Sequence, residues 1–168
     1  MGKYYVTREG YDLLYNEISG MDEEHDNVER KMGESVKRDN DLRENPEYMS
    51  LRVQAMYGIP AKKRELIQKF NDAIIIEDTP EYVNWDGLTV IRKCKISMKM
   101  DGEIVEYTIL GSNEGNIEED ILSCNAPLVE ALLNHKVGET ISFRNIKIEI
   151  LGVSKIQNKV KKLIKDEK

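Results

Sequence analysis

Seven residues at alternating steps of three and four constrain this chain most: Tyr11, Leu14, Ile18, Met21, His25, Val28 and Met32. That is a heptad seam, and a helix with one narrow apolar stripe satisfies it by pairing with a second helix. Between the seam positions nearly every residue is charged, as in Asp22-Glu23-Glu24 and Glu29-Arg30-Lys31, so the other faces are left to water. Thr7 is placed to cap a helix beginning near Arg8, with Glu9 acidic in its first turn, and Lys3 to Val6 reads as a short lead-in. Gly33 and Ser35 weaken the helix toward its end, and Lys37-Arg38-Asp39-Asn40 is a polar run suited to a turn. A helix of roughly thirty residues is about 45 Å long. His25 reads as a partly buried polar spacer on the seam rather than a proton or metal site.

A second stripe follows. Asn45 before Pro46 is an N-cap with proline at the first helical position, and Glu47 complements the positive helix end. Tyr48, Leu51, Ala55, Ile59, Leu66, Phe70 and Ala73 then form a less regular apolar face. Gly58-Ile59-Pro60 interrupts it, and the proline predicts a kink or a local break in the hydrogen-bond ladder. The two stripes predict a long antiparallel coiled-coil hairpin over residues 1–77, with an acidic tip at 40–45. Pairing within one chain consumes both stripes, so a monomer is expected. Leu42, apolar on an otherwise polar tip, suits contact with a partner.

From Ala73-Ile74-Ile75-Ile76 onward the residues turn β-branched, and Asp78-Thr79-Pro80 closes that segment. Trp85-Asp86-Gly87 reads as a turn, and strands are expected at Leu88 to Ile91, Cys94 to Met98 and Ile104 to Ile109, with Asp101-Gly102 as the hairpin turn. Pro127 to Leu133 reads as one short helix, and strands follow at Ile141 to Phe143 and Ile146 to Leu151. The class is α+β: a helical hairpin, an antiparallel sheet domain with one short helix over 78–158, and a basic tail at 159–168.

Net charge and apolar runs limit the function classes. A formal charge of -6 argues against a surface that wraps duplex DNA, so any nucleic-acid contact is expected to be local. Cys94 and Cys124 lack metal or CxxC spacing and read as small buried or semi-buried residues of a reducing compartment. No apolar signal core begins the chain and no run is long enough to span a bilayer, which predicts a cytoplasmic protein with no membrane partner.

Four stretches carry a family resemblance: Val6-Thr7-Arg8-Glu9-Gly10-Tyr11, Asp41-Leu42-x-Glu44-Asn45-x-Glu47-Tyr48, Ile121-Leu122-Ser123-x-x-Ala126-Pro127-Leu128, and Lys136-Val137-Gly138. In order and spacing, over almost the whole chain, they resemble the bacterial Gre transcript-cleavage factors, GreA and GreB. The tip motif is the specific one. By itself, Asp-x-x-Glu is also the pattern of a helix capping box or of an ordinary acidic turn.

The resemblance implies an FKBP-like C-terminal domain and a partner rather than a substrate. Gre factors dock that domain on bacterial RNA polymerase and insert the hairpin through the secondary channel. Their tip carboxylates help to hold a Mg²⁺ ion, and the polymerase cleaves the displaced 3′ end of the nascent RNA. Carried over, Asp41 and Glu44 are the catalytic and metal-holding pair, sharing Mg²⁺ with the polymerase and binding none stably alone. Glu47 would add field at most. Lys37, Arg38, Arg43 and Arg52 form the RNA-contacting basic patch, and Ser123, Cys124, Asn125, Ala126 and Pro127 the polymerase-docking segment. Three positions depart from the family pattern. Gly58-Ile59-Pro60 demands about one extra residue, Ala126 replaces a usual serine, and Phe143-Arg144-Asn145 lacks a glycine-containing turn.

Such a factor is not itself an enzyme. A Gre-like plug that inhibits polymerase is the alternative, and retention of Asp41 and Glu44 speaks against it. A prolyl isomerase is disfavoured because residues 88–151 hold only Tyr107 and Phe143 as aromatics. A generic coiled-coil adaptor would not need the acidic tip.

Overall fold

The computed structural model describes residues 3–156. The basic tail expected at 159–168, and the last residues of the domain expected over 78–158, lie outside the described residues. The chain divides into two compact units, Met1–Ile75 and Ile76–Lys168.

In the first unit, Thr7 accepts a hydrogen bond on Oγ1 from the Gly10 N–H at 3.0 Å and so opens α1 (Arg8–Arg38), as its sequence position predicts. Thirty-one residues make this helix about 46 Å long. Two further helices, α2 (Pro46–Val53) and α3 (Ile59–Asp72), form the second arm. Met21 and Val28 of the first arm pack with Ala55, Ile59 and Leu66 of the second, with Leu14, Ile18 and Leu51 around them. Tyr11 stacks on Phe70 with ring centroids 4.4 Å apart. The lead-in is more ordered than expected. It forms β1 (Tyr4–Val6), which pairs in parallel with β2 (Ala73–Ile75).

Two local expectations change. The first helix does not give way before Lys37 and Arg38; both lie in its last turn, where cations complement the negative helix end. Ser35 extends the seam by one more step of three and is buried there. In the second arm, a π-helical turn at Gln54–Gly58 separates α2 from α3, and the Ile59 N–H bonds back five residues to the Gln54 carbonyl. Leu51, Ala55 and Ile59 take eight residues for an advance a heptad seam makes in seven, and a π turn absorbs one extra residue. It does so just ahead of Pro60, which has no N–H to give to the preceding turn. Ile59 thereby stays buried.

The second unit contains a 5-stranded sheet of β3 (Cys94–Met100), β4 (Glu103–Leu110), β5 (Ile121–Ser123), β6 (Thr140–Phe143) and β7 (Ile146–Lys155). Its order is β5-β4-β3-β7-β6. Alternation buries Cys94, Ile96 and Met98 of β3 with Ile109, Ile148 and Ile150 on one face, while Lys95 and Lys99 face water. Asp101 and Gly102 both have positive φ, 52° and 89°, the geometry of a tight hairpin turn. Arg144 and Asn145 make the same kind of turn without glycine, at φ 48° and 68°.

The sheet differs from the expected antiparallel one at its edge, where β5 runs parallel to β4. Residues 111–120 supply the return, and Asn116 bridges to Ile121. Among the described residues two short α-helices occur rather than one, α4 (Pro80–Val83) and α5 (Pro127–Leu132). Leu88 to Ile91 is not a strand; only Thr89 makes a bridge, to Lys136. The Asp86 carboxylate takes the Leu88 and Thr89 N–H groups at 2.9 and 2.7 Å, so they are spent on the turn. Those bonds and the Thr89 hydroxyl, the largest influence, hold the Asp86 carboxyl down at about 2.

Candidate functional site

The hairpin tip is built from its two helix ends. Residues Asp39 to Glu44 are all exposed, whereas Asn45 is buried. As N-cap of α2, the Asn45 side chain accepts the Tyr48 N–H at 2.9 Å. Its amide nitrogen donates to the Ser35 hydroxyl at 3.0 Å, the Ser35 carbonyl at 3.3 Å and the Asp39 carbonyl at 3.2 Å, all at the end of α1.

Between these ends Asp41 organises the turn. Its Oδ1 accepts the Arg43 N–H at 3.1 Å, and its carbonyl accepts the Glu44 and Asn45 N–H groups at 3.2 and 3.0 Å. Asp41 and Glu44 therefore share one hydrogen-bonded turn on the exposed bend. Among the described residues the Glu44 carboxylate accepts no hydrogen bond. Beside the bend, the Arg38 guanidinium donates to both oxygens of Glu47 at 2.9 and 2.8 Å.

In the second unit, Ser123 to Pro127 lead from β5 into α5. The Cys124 N–H bonds to the Leu110 carbonyl at 3.0 Å, and the Ala126 N–H to the Ser123 carbonyl at 2.9 Å. The Asn125 amide donates to Ser112 Oγ at 3.0 Å. Gly115 lies so close that a Cβ on it would come within 3.0 Å of the Ser123 nitrogen. Ala126 is the N-cap of α5 and makes no side-chain capping bond.

Comparisons with known proteins show the family. The profile of the family described as "Transcription elongation factor, GreA/GreB, C-term" matches residues 88–155. Transcription elongation factor GreA of a Nitratiruptor species is 31% identical over 145 residues, covering 86% of this chain and 86% of that protein. The chain belongs to the GreA/GreB family. Transcription elongation factor GreA of Chlorobium phaeobacteroides is 29% identical over 141 residues, 83% of this chain and 86% of the relative. The crystal structure of GreA factor homolog 1 (Gfh1) of Thermus thermophilus aligns at TM-score 0.39 and 17% identity, over 91% of this chain and 99% of that one.

Within this Gre-family chain, the residues singled out from sequence are distributed unevenly. Asp41, Glu44 and Arg43 share the exposed turn, Lys37 and Arg38 end α1, and Arg52 lies exposed in α2. Among the described residues Lys37, Arg43 and Arg52 make no ion pair, while Arg38 is engaged by Glu47. Of the docking segment, Asn125 and Pro127 are exposed and Ser123 and Ala126 half-buried. Cys124 requires a correction. Its side chain is buried against Ser112 and Asn125, so the thiol faces the fold rather than a partner. Burial pushes the Cys124 thiol up, and pushes that of Cys94 up to about 11. His25 is half-buried with Nδ1 3.8 Å from the exposed Glu29 one helical turn on.

Sequence reasoning missed Ser35 and the link between Arg38 and Glu47. Ser35 had a signal: it stands three residues after Met32, on the seam, where a polar residue needs a partner. The ion pair had none, because it joins residues nine apart across a bend of then unknown shape.

Proposed function

We propose that this Gre-family factor stimulates transcript cleavage by bacterial RNA polymerase. The hairpin enters the secondary channel, the tip reaches the active centre, and the polymerase hydrolyses the displaced 3′ segment of backtracked RNA. The observation that carries this reading is the tip, where Asp41 and Glu44 stand on an exposed turn fastened at both ends.

The donor set suits Mg²⁺, a hard cation that keeps several waters and takes about one or two protein carboxylates. On this reading Asp41 and Glu44 are those carboxylates, and the remaining ligands come from the polymerase and water. When bound, such an ion makes bound water more acidic and offsets charge on the phosphate. Asp41 and Glu44 supply oxygen ligands and hydrogen-bond acceptors that orient water toward phosphorus. In the hydrolysis, water oxygen bonds to phosphorus, the bond to the departing 3′ oxygen breaks, and that oxygen takes up a proton. Lys37, Arg43 and Arg52 present positive charge to the RNA backbone, with Arg38 contributing as far as Glu47 releases it. Ser123, Asn125, Ala126 and Pro127 meet the polymerase surface. On this reading the chain serves as an accessory factor, and the hydrolysis belongs to the polymerase.

The test is a stalled, backtracked elongation complex carrying end-labelled RNA. Adding the wild-type protein with Mg²⁺ shortens the transcript from its 3′ end. Asp41→Asn or Glu44→Gln lowers the rate at least about a hundredfold with binding retained, as expected for groups whose contribution comes in the transition state. Slowed nucleotide addition without shortening would overturn the reading in favour of a channel plug.

A further inference from the structure

We infer that Asn45 is the positioning residue of the tip, fixing where Asp41 and Glu44 stand by capping both helices of the hairpin with one side chain; this rests on the cleavage reading. Asn45 is 4% exposed and Ser35 1%, while everything from Asp39 to Glu44 is exposed. The exposed turn has little packing of its own, so hydrogen bonds set its shape. Within the turn they run to Asp39 and Asp41, and those that tie the turn to the two helix ends converge on Asn45. Its backbone N–H holds the Asp41 carbonyl, its Oδ1 accepts the Tyr48 N–H at the start of α2, and its Nδ2 donates to the Ser35 and Asp39 carbonyls at the end of α1.

Helix ends leave backbone donors at one terminus and acceptors at the other. A side chain that serves both must accept and donate, in opposite directions, from one rigid group. A carboxamide does this: its oxygen accepts while its NH₂ gives two hydrogens. Aspartate has the acceptor alone, and serine has one donor. Asn45 thus couples the two arms at the point from which the turn departs. Ser35 completes the arrangement, since its hydroxyl lies 3.2 Å from Asn45 Oδ1 as well as 3.0 Å from Nδ2.

Asn45→Asp separates the two roles. It keeps the acceptor for the Tyr48 N–H and adds a charge favoured at a helix start, so α2 still forms. It has no donor for the Ser35 and Asp39 carbonyls. In the full-length protein the expected result has three parts. The half-saturating concentration on backtracked polymerase is unchanged, and the maximal cleavage rate falls about ten- to a hundredfold, the scale of a displacement near 1 Å at a reacting centre. Added Mg²⁺ recovers part of the loss, because displaced carboxylates hold the ion more weakly. In the free protein, hydrogen exchange at the Glu44 and Asn45 amides speeds up while exchange within α2 does not. Failure of the wild type to shorten RNA sinks the cleavage reading and leaves the exchange arm to judge the anchor. Cleavage by wild type with Asn45→Asp equal to it at every Mg²⁺ concentration, or unaltered exchange at the tip, overturns this inference alone. Raised half-saturation with an unchanged maximal rate overturns it as well, since Asn45 would then serve binding rather than positioning.

Discussion

Ala126 opens α5 with a methyl group where an N-cap ordinarily offers an oxygen. The first turn of that helix therefore lacks a side-chain acceptor, and Ala126→Ser is expected to stabilise the second unit by about 1 kcal/mol. Urea unfolding monitored within the sheet checks it; an unchanged or lower midpoint would show that the first-turn amides are already satisfied. At the tip, by contrast, the capping position is fully used. Asp41, Glu44 and Asn45 were legible as a motif, because residue type and spacing carry the chemistry of carboxylates and caps. That Cys124 is buried follows from its residue type, but its partner Ser112 was not legible, because the contact joins residues twelve apart across a loop. The pair of Arg38 and Glu47 is exposed on both sides, and such a pair contributes at most about 1 kcal/mol. Its weight is in directing two side chains, not in stability.

At the level of elements, hydrophobic periodicity made α1 readable from its start through Met32 but not over its last turn, with Thr7 and Asn45-Pro46 marking the starts of both arms. The seam also ranks its members. Leu66 is 6% exposed in the hairpin core, while its neighbour Ile67 is 38% exposed. Leu66→Ala is expected to cost about 2–5 kcal/mol through lost transfer energy and a residual cavity, and Ile67→Ala distinctly less. Circular-dichroism melts of the two variants test the difference, and equal losses would mean that α3 is rotated from the arrangement described. The π turn at Gln54–Gly58 was foreshadowed by the extra residue and by Pro60, but a break, a kink and a wide turn all answer that pattern. Only burial of Ile59 against the first arm selects among them. Leu88 to Ile91 had a strand's composition, yet Asp86 holds the Leu88 and Thr89 amides and pairing is confined to a short stretch against residues 134–137.

For the whole molecule, the proposed function assigns chemistry to the tip of the unit Met1–Ile75 and attachment to the unit Ile76–Lys168. If so, variants in each unit change different kinetic constants. Pro127 is exposed at the first turn of α5, where a carboxylate suits the helix. Pro127→Glu is therefore expected to leave the fold intact and raise the half-saturating concentration on polymerase about tenfold, as for loss of one strong interface contact. Its maximal cleavage rate should match wild type, the reverse of the pattern for Asp41→Asn. A titration of cleavage rate against protein concentration separates them, and a lowered maximum for Pro127→Glu would break the division of labour.

The sequence by itself determined the hairpin, the strand-rich second half, the acidic tip and the family, because each is written in short-range spacing that repeats or in a contiguous motif. Tertiary structure alone decided that Ser35 and Asn45 join the two arms, that β5 runs parallel to β4, and that Cys124 packs against Ser112. Each of these depends on which distant segments meet, and a hydrogen bond or a buried face has no spacing signature until they do.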